Sequence, residues 1–282
     1  MEGGGLVEPA RNHKARQVSR VGYVRKMIEK KKCRRRIRKV QVPKVPIRLQ
    51  ELFLSCKEVF KGPATVPLPQ DVQRLCGILD NMRAEDFGLG ENLQFFKPNN
   101  TNKGTPRVTQ TTVYECTNFS LCIFFLPTNG VIPLHNHPGM TVFSKLLLGS
   151  MHIKSYDWIP QQLINKDDSS RPSQLGLARL KANNVFAAPC ETSVLYPTTG
   201  GNIHEFTAIT PCAVLDVLGP PYSKQDGRDC SYYKDHPYAS YSNGEITKQD
   251  GESYGWLEEI EMPEIAKMVG IEYLGPQIIE NW

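Results

Sequence analysis

Short β-type segments, separated by turn-forming residues, follow one another from about residue 107 onward. Asn129-Gly130, Gly149-Ser150 and Thr199-Gly200-Gly201 are typical of the turns between them. So many short strands without intervening helices must bury their apolar faces by stacking two sheets or closing a barrel, which predicts an all-β jelly roll or small barrel. The predicted strands are 108–116, 119–126, 131–137, 140–148, 152–158, 175–181, 184–188, 193–196, 203–209 and 213–218, with a late strand at 255–257.

Two short helices are predicted ahead of these strands. Apolar residues recur at near-helical spacing over 47–60 and again over 71–82, with prolines and a glycine between the two segments. We expect both helices to pack on the outside of a single domain that spans residues 46–282. Within that domain, residues 164–174 are polar and are predicted to form a mobile loop.

The N-terminal region differs sharply in charge from the rest of the chain. Residues 1–49 carry a net charge of +13, and the remaining residues carry −8. Residues 1–45 have too few large apolar side chains to offset the entropy of ordering, so we predict a disordered basic arm. Its run from Lys30 to Lys39 holds eight cations in ten residues, which is typical of a nuclear import signal. Direct binding to nucleic acid is not expected, because no recognition fold accompanies the run.

Three histidines carry the main functional signal. His135 and His137 are two residues apart on a predicted strand, so their side chains point to the same face. His204 follows the Gly200-Gly201 turn and opens another strand, which can bring it beside the pair if the sheet curls. Three neutral imidazoles gathered in this way bind a divalent first-row metal and leave other coordination positions open. The sequence therefore predicts a metal site at these residues.

The spacing of these histidines resembles the cupin superfamily, whose two motifs frame an HxH pair and a later histidine with glycines. The residues that match these motifs are Gly130, His135, His137, Gly149, Gly201 and His204. The resemblance implies a double-stranded β-helix, the cupin form of the jelly roll. Val142 stands where the first cupin motif has a glutamate, so the expected site is three histidines without a carboxylate.

Within the cupins, this triad resembles the thiol dioxygenases, and above all the plant cysteine oxidases, which are related to animal 2-aminoethanethiol dioxygenase. The matching segments are 135–142, 200–204 and 215–222, and the resemblance extends from about residue 47 to the C-terminus. It implies Fe(II) as the cofactor and dioxygen as a co-substrate. It also implies oxidation of an N-terminal cysteine, on a peptide or protein, to cysteine sulfinic acid.

The same resemblance implies a biological role. Its substrates are proteins that begin with cysteine after removal of methionine, including low-oxygen-response transcription factors. Oxidation marks these proteins for the arginylation branch of N-degron proteolysis. Because dioxygen is consumed, such an enzyme acts as an oxygen sensor if its apparent affinity for dioxygen is weak.

Three further residues are candidates for contact with the substrate. Asp216 lies in an otherwise apolar strand, where a carboxylate is costly unless it has a partner. We predict that it orients the α-ammonium of a peptide or a histidine of the metal site. Tyr222 follows the stiff Gly219-Pro220-Pro221 turn, and its hydroxyl is placed to bond the substrate or dioxygen. Cys230 is a weaker candidate for the mouth of the site.

Two alternatives to an N-terminal cysteine dioxygenase stay open at this point. One is a dioxygenase of free cysteine or cysteamine. A peptide substrate needs an open groove at the metal, whereas a small thiol also fits a closed pocket. The other is a non-catalytic metal-binding nuclear cupin, but closed structural metal sites usually add a fourth protein ligand, and none is evident. The three histidines do not fix the metal either, because they also suit Zn(II), Ni(II) or Cu(II).

The spacing of the cysteines and the hydropathy of the chain predict the cellular compartment of the protein. The eight cysteines form no CxxC pair, and the chain shows neither a secretion signal nor an apolar stretch long enough to cross a membrane. Reduced thiols in the nucleus and cytoplasm are therefore expected. We also expect a monomer that does not bind membranes.

Removing residues 1–45 separates the enzyme hypothesis from the nuclear-binding hypothesis. Thiol oxidation is expected to survive in the shortened chain, because all three histidines lie in the domain that follows. Turnover of a thiol substrate by the full and shortened chains, compared at equal metal content, measures this. Loss of activity with the arm would show that the domain alone is not the working unit.

Overall fold

The computed structural model describes residues 46–90, 106–160, 175–241 and 253–281. The predicted basic arm (1–45) and polar loop (164–174) lie outside the described residues. The helices are α1 (Ile47–Val59) and α2 (Pro69–Asp80). The strands are β1 (Thr109–Glu115), β2 (Ser120–Leu126), β3 (Val131–Asn136), β4 (Thr141–Leu148), β5 (Ser150–Trp158), β6 (Leu175–Ala187), β7 (Ser193–Leu195), β8 (Ile203–Ala208), β9 (Cys212–Gly219), β10 (Tyr232–Pro237), β11 (Tyr254–Ile260) and β12 (Val269–Gly270).

The strands form two sheets. The first, which we call the open sheet, has the strand order β12-β1-β2-β9-β4-β7. The second, the closed barrel, has the order β10-β11-β6-β5-β8-β3 and returns to β10 through a bridge between Tyr232 and His135. One apolar cluster joins residues of both sheets, including Leu126 and Val214 of the open sheet with Ile132 and Phe206 of the closed barrel. The two sheets therefore pack face to face, and the predicted all-β double-stranded β-helix is confirmed.

Both helices cover the outer face of the open sheet, as predicted. Their apolar side chains share one cluster with alternate residues of β2, β4 and β9. Leu52 and Phe53 of α1 and Leu79 of α2 are completely buried in it. The helix α2 begins at Pro69 rather than at residue 71, because the fixed φ of proline suits the first turn of a helix. Among the described residues, no helix is both long enough and apolar enough to cross a membrane.

Strand β9 is buried along its whole length because both of its faces are covered. Leu215 and Val217 point outward into the helix cluster, whereas Val214 points inward to the closed barrel. Side chains alternate along a strand, so Asp216 shares the inward face with Val214 and Leu218. A carboxylate is thereby placed in the interior between the two sheets.

A separate apolar cluster fills the closed barrel itself. Each of its six strands contributes one buried residue, and these are Leu134, Tyr156, Ala178, Ile203, Tyr233 and Leu257. Since Leu134 and Ile203 point into the closed barrel, their neighbours His135 and His204 point the other way, toward the open sheet. The two sheets thus enclose the space into which the histidines project.

The structure differs from the predicted strands in three places. The strand β6 is continuous, whereas two strands with a turn at Asn183-Asn184 were predicted; these asparagines instead pair with Lys154 and Ile153 of β5. The strands β10 and β12 were not predicted. The sequence of β10 is polar, and it becomes a strand because β11 pairs with it along its whole length, while β3 meets it at Tyr232. Long-range pairing overrides local preference in these cases.

The contact between Phe60, which follows α1, and the end of β9 gives a stability prediction. A Cβ at Gly219 would overlap the ring of Phe60, whereas a Cβ at the exposed Gly77 of α2 would meet nothing within 4 Å. Gly219→Ala is expected to destabilise the domain by about 1–3 kcal/mol through overpacking. Gly77→Ala is the matched control and is expected to stabilise it by about 0.5–1 kcal/mol, since alanine favours the helix. Urea unfolding measures both, and an unchanged midpoint for Gly219→Ala would contradict this packing.

Candidate metal centre

Three buried imidazoles meet in the space between the two sheets. His135 on β3 lies directly opposite His204 on β8, and His137 follows just beyond the end of β3. Their exposed fractions are 9% for His135, 2% for His137 and 5% for His204. One ligand nitrogen from each lies within 4.8 Å of the others, and the Nε2 atoms of His137 and His204 are 3.0 Å apart. The structure therefore brings together all three histidines that the sequence predicts as metal ligands.

A bulge in β3 sets the direction of these side chains. Ile132 pairs with Phe206 and His135 pairs with His204, so three steps on β3 match two on β8. Without the extra residue, His135 would point away from the face that Ile132 occupies. Pro133 lies inside the bulge, where a residue without a backbone N–H is tolerated. The bulge thus turns His135 into the space between the two sheets.

The histidines are held in their neutral form. Burial lowers the pKa of His135 to about 4. Burial, followed by the neighbouring imidazoles, lowers the pKa of His137 well below its usual range, and the same causes act on His204. A neutral imidazole offers a free nitrogen lone pair, which is the form that binds a metal.

Hydrogen bonds determine which ring nitrogen of His135 and of His137 is free to bind a metal. Nδ1 of His135 lies 2.8 Å from the carbonyl oxygen of Pro133 and can only donate there. The hydroxyl of Tyr222 donates to the carbonyl oxygen of Asn136 at 2.8 Å, so it accepts from Nδ1 of His137, also at 2.8 Å. Nδ1 therefore carries the proton in both rings, and the lone pair of Nε2 is left free in both.

This donor set fits a divalent transition metal. Two imidazole nitrogens bound at right angles, each about 2.1 Å from a metal ion, lie about 3.0 Å apart, which is the separation of the Nε2 atoms of His137 and His204. Among the described residues, no carboxylate or thiol joins the three histidines. Val142, at the place of the cupin glutamate, is fully buried in an apolar cluster with Met140 and Leu218. The site thus has three neutral protein ligands, which leaves room for substrates and differs from a closed structural site.

Asp216 lies on the inward face of β9, opposite Cys122 of β2 and Ser144 of β4. Only 4% of it is exposed, and its Oδ1 atom has no hydrogen-bond partner among the described residues. Burial raises the pKa of this carboxyl to about 7. A buried carboxylate oxygen without a partner is costly, and a cation that entered the site would remove that cost. Its predicted contact with an ammonium group stays a prediction.

Tyr222 lies beside His137, and Cys230 lies against Tyr222. Tyr222 is 36% exposed as a residue, yet its hydroxyl reaches the buried ring of His137. Burial raises the pKa of that hydroxyl well above its usual range, and the neighbouring Cys230 and Asp216 add to the effect. Burial also raises the pKa of the Cys230 thiol, which lies against Tyr232 and Tyr222. Their predicted contacts with substrate stay predictions, and the structure adds a contact from Tyr222 to His137 that the sequence did not predict.

Sequence reasoning missed two buried polar residues beside the ligands, Asp157 and Asn202. Asp157 is the penultimate residue of β5 and is 9% exposed, and Asn202 precedes β8 and is 7% exposed. The only sequence signal was the position of Asn202 between a glycine pair and a ligand histidine. The turn that brings Asp157 to the same place depends on the fold and is not visible in the local sequence.

Comparison with known proteins finds relatives over most of the chain. A family model described as PCO_ADO matches residues 78–278. Plant cysteine oxidase 2 of Arabidopsis thaliana is 47% identical over 257 residues, which cover 89% of this chain and 89% of that protein. The 2-aminoethanethiol dioxygenase of Homo sapiens is 30% identical over 235 residues, which cover 77% of this chain and 85% of that protein. Among solved structures, an RmlC-like cupin protein from Desulfovibrio desulfuricans is 18% identical, with a TM-score of 0.29 over 47% of this chain and 97% of that chain.

The raised pKa of Asp216 predicts how stability depends on pH. Between about pH 4, where an unfolded aspartate loses its proton, and its folded pKa of about 7, the folded chain holds a proton that the unfolded chain has released. The contribution of Asp216 to stability therefore falls as the pH rises through this window, by up to about 1.4 kcal/mol per pH unit.

Asp216→Asn is expected to abolish this contribution, because an amide cannot ionise. Urea unfolding of both chains from pH 4.5 to 8 measures it, and titrations common to the two chains cancel in the difference. The variant should gain stability relative to the parent chain as the pH rises. Parallel curves would show that Asp216 is ionised in the folded chain at all these pH values.

Proposed function

The chain belongs to the PCO_ADO family and is a thiol dioxygenase, and on this premise we propose that it oxidises the N-terminal cysteine of peptides and proteins to cysteine sulfinic acid. The observation that carries the proposal is the set of three neutral histidines, with Val142 in place of a carboxylate. Three neutral ligands leave a divalent metal its full charge, which favours an anionic thiolate as a further ligand. The non-catalytic cupin alternative is set aside by the family and by the open coordination.

We propose Fe(II) as the resident metal, held by Nε2 of His135 and His137 together with His204. When bound, Fe(II) supplies a redox-active Lewis acid at which thiolate and dioxygen can be brought together. The reaction balances without an external reductant. The sulfur of the thiol gives up four electrons to dioxygen, both oxygen atoms are transferred to that sulfur, and one proton is released.

The buried carboxyl group of Asp216 is evidence for a substrate that carries a free amine. The side chain lies on the inward face of β9, and its Oδ1 atom has no partner among the described residues. Its negative charge contributes to raising the pKa of the Tyr222 hydroxyl, which contacts His137. An α-ammonium would provide the missing partner and neutralise the buried carboxylate. Acetylating the amine of the peptide removes that positive charge and is therefore expected to cost most of the binding. We propose that Tyr222, whose hydroxyl contacts the ring of His137, also bonds the substrate.

We further propose that the reaction reports oxygen level and feeds the arginylation branch of N-degron proteolysis, with low-oxygen-response transcription factors as substrates. The support is the likeness to plant cysteine oxidase 2, whose name states oxidation of cysteine. The basic run from Lys30 to Lys39 supports distribution between nucleus and cytoplasm. A chain without residues 1–45 is expected to lose nuclear accumulation when it is fused to a reporter too large to diffuse through nuclear pores.

A second candidate is oxidation of a small thiol such as cysteamine or free cysteine. The specific observation in its favour is the 30% identity to the 2-aminoethanethiol dioxygenase of Homo sapiens. Cysteamine also carries an ammonium, so Asp216 is compatible with both candidates. The two differ in whether the enzyme needs the backbone that follows the cysteine, which a comparison of kcat/KM for a Cys-Gly-Gly peptide amide and for cysteamine resolves.

Mass spectrometry of a peptide that begins with cysteine tests the proposal. After incubation in air with the Fe(II)-loaded enzyme, the free-amine peptide is expected to gain two oxygen atoms, about 32 Da. The N-acetylated copy is expected to remain largely unchanged, because it cannot pair with Asp216.

Two variants serve as controls in the same assay. His204→Ala removes one metal ligand and is expected to abolish oxidation, whereas Asp216→Asn should lower kcat/KM for the free-amine peptide and narrow its advantage over the acetylated copy. Equal oxidation of both peptides by the parent enzyme would mean that only the thiol is recognised. Oxidation of cysteamine alone would overturn the N-terminal cysteine proposal.

A further inference from the structure

The three ligand histidines are not held equally by the sheet. His135 and His204 lie within strands and pair with each other, and His135 also pairs with Tyr232. The ladder between β3 and β8 ends at Asn136 and Ile203, so His137 lies one residue beyond it. Strand pairing alone therefore leaves the backbone of this ligand free to move.

The side chain of Asn202 replaces the missing ladder at this point. Its Oδ1 atom accepts from the backbone N–H of His137 at 3.1 Å, and its Nδ2 atom donates to the carbonyl oxygen of the same residue at 2.9 Å. The same Nδ2 atom donates to the carbonyl oxygen of Tyr196 at 2.7 Å. One buried amide thus engages both backbone polar groups of a metal ligand, as a neighbouring strand would.

Asp157 in turn holds the turn that carries Asn202. Its carboxylate accepts from three consecutive backbone N–H groups, those of Gly200, Gly201 and Asn202, at 3.0, 2.8 and 3.1 Å. Both glycines have φ of +84°, and a Cβ at Gly201 would lie 2.6 Å from Oγ of Ser155. The turn can therefore come this close to β5 only with glycine, and the carboxylate fixes it there.

We propose that Asp157 and Asn202 are positioning residues for the metal centre: Asp157 fixes the turn at 200–202, and Asn202 transmits that position to the backbone of His137. Tyr222 acts on the same ligand from the ring side through Nδ1. His137 is then held at its backbone and at its ring, although it lies outside the ladder. The inference rests on metal binding by the triad, which the proposed function also requires, but not on the identity of the thiol.

Metal affinity, measured without any thiol substrate, tests the inference. Asn202→Ala is expected to weaken binding of Fe(II), measured anaerobically by chelator competition, by about 10-fold or more. The visible spectrum of the Co(II)-substituted variant should also shift, because His137 is displaced. Asn184→Ala is the matched control, since Asn184 is an exposed asparagine of β6 with no contact to the ligand histidines among those the structure describes, and the metal affinity of this variant should equal that of the parent chain.

The melting temperature of the metal-free chain separates positioning from general stabilisation. A purely structural role would lower the melting temperature of the metal-free variant and leave both metal affinity and the Co(II) spectrum unchanged, and that result overturns the inference. If Asn202→Ala does not fold, Asp157→Asn decides, because it keeps the shape of the side chain but removes its charge and replaces one acceptor oxygen with an NH2 donor. Parent-level metal affinity in Asp157→Asn would then overturn it. Failure of the parent chain to bind metal at all would instead refute the metal site and with it the proposed function.

Discussion

The pairing of His135 with His204 across β3 and β8 is the contact on which the site depends. It places two imidazoles side by side on the same face of the closed barrel, and the bulge at Pro133 turns that face toward the open sheet. A shift of one residue in this register would point His135 into the apolar interior of the barrel, where Leu134 now lies. The third ligand, His137, lies one residue beyond this ladder, and the side chain of Asn202 bonds its backbone in place of a neighbouring strand.

Burial between two sheets explains the chemistry of the surrounding residues. In an interior of low dielectric, each polar group is stable only if it has a partner. His135 and His137 find theirs in Pro133 and Tyr222, which leaves the opposite nitrogens bare for a metal. Asp216 lacks such a partner at Oδ1 and shares the same interior. The rings of His135 and His137 are thus satisfied at Nδ1, whereas Asp216 keeps one buried oxygen atom without a partner among the described residues.

Much of this arrangement could be predicted from local sequence. Both helices, most strands and the three ligands follow from periodicity, turn residues and the HxH spacing, whereas the absent carboxylate at Val142 follows from the resemblance to the cupin motif. What could not be predicted depends on contacts distant in sequence. The polar strand β10 exists because β11 and β3 flank it, and Asn202 lies 65 residues from the backbone that it holds. No local pattern signals a role that is defined by such a distant partner.

The most direct test of the central claim follows the oxygen atoms. The Fe(II)-loaded enzyme is incubated with a Cys-initiating peptide under ¹⁸O₂ in ordinary water, and the product is analysed by mass spectrometry. A dioxygenase that uses the thiol as its only reductant should place two heavy oxygen atoms on the same sulfur in every product molecule. A sulfinic acid that carried one heavy atom or none would mean that water supplies oxygen, and would contradict the account of an open three-histidine site in which both atoms of dioxygen are transferred to sulfur.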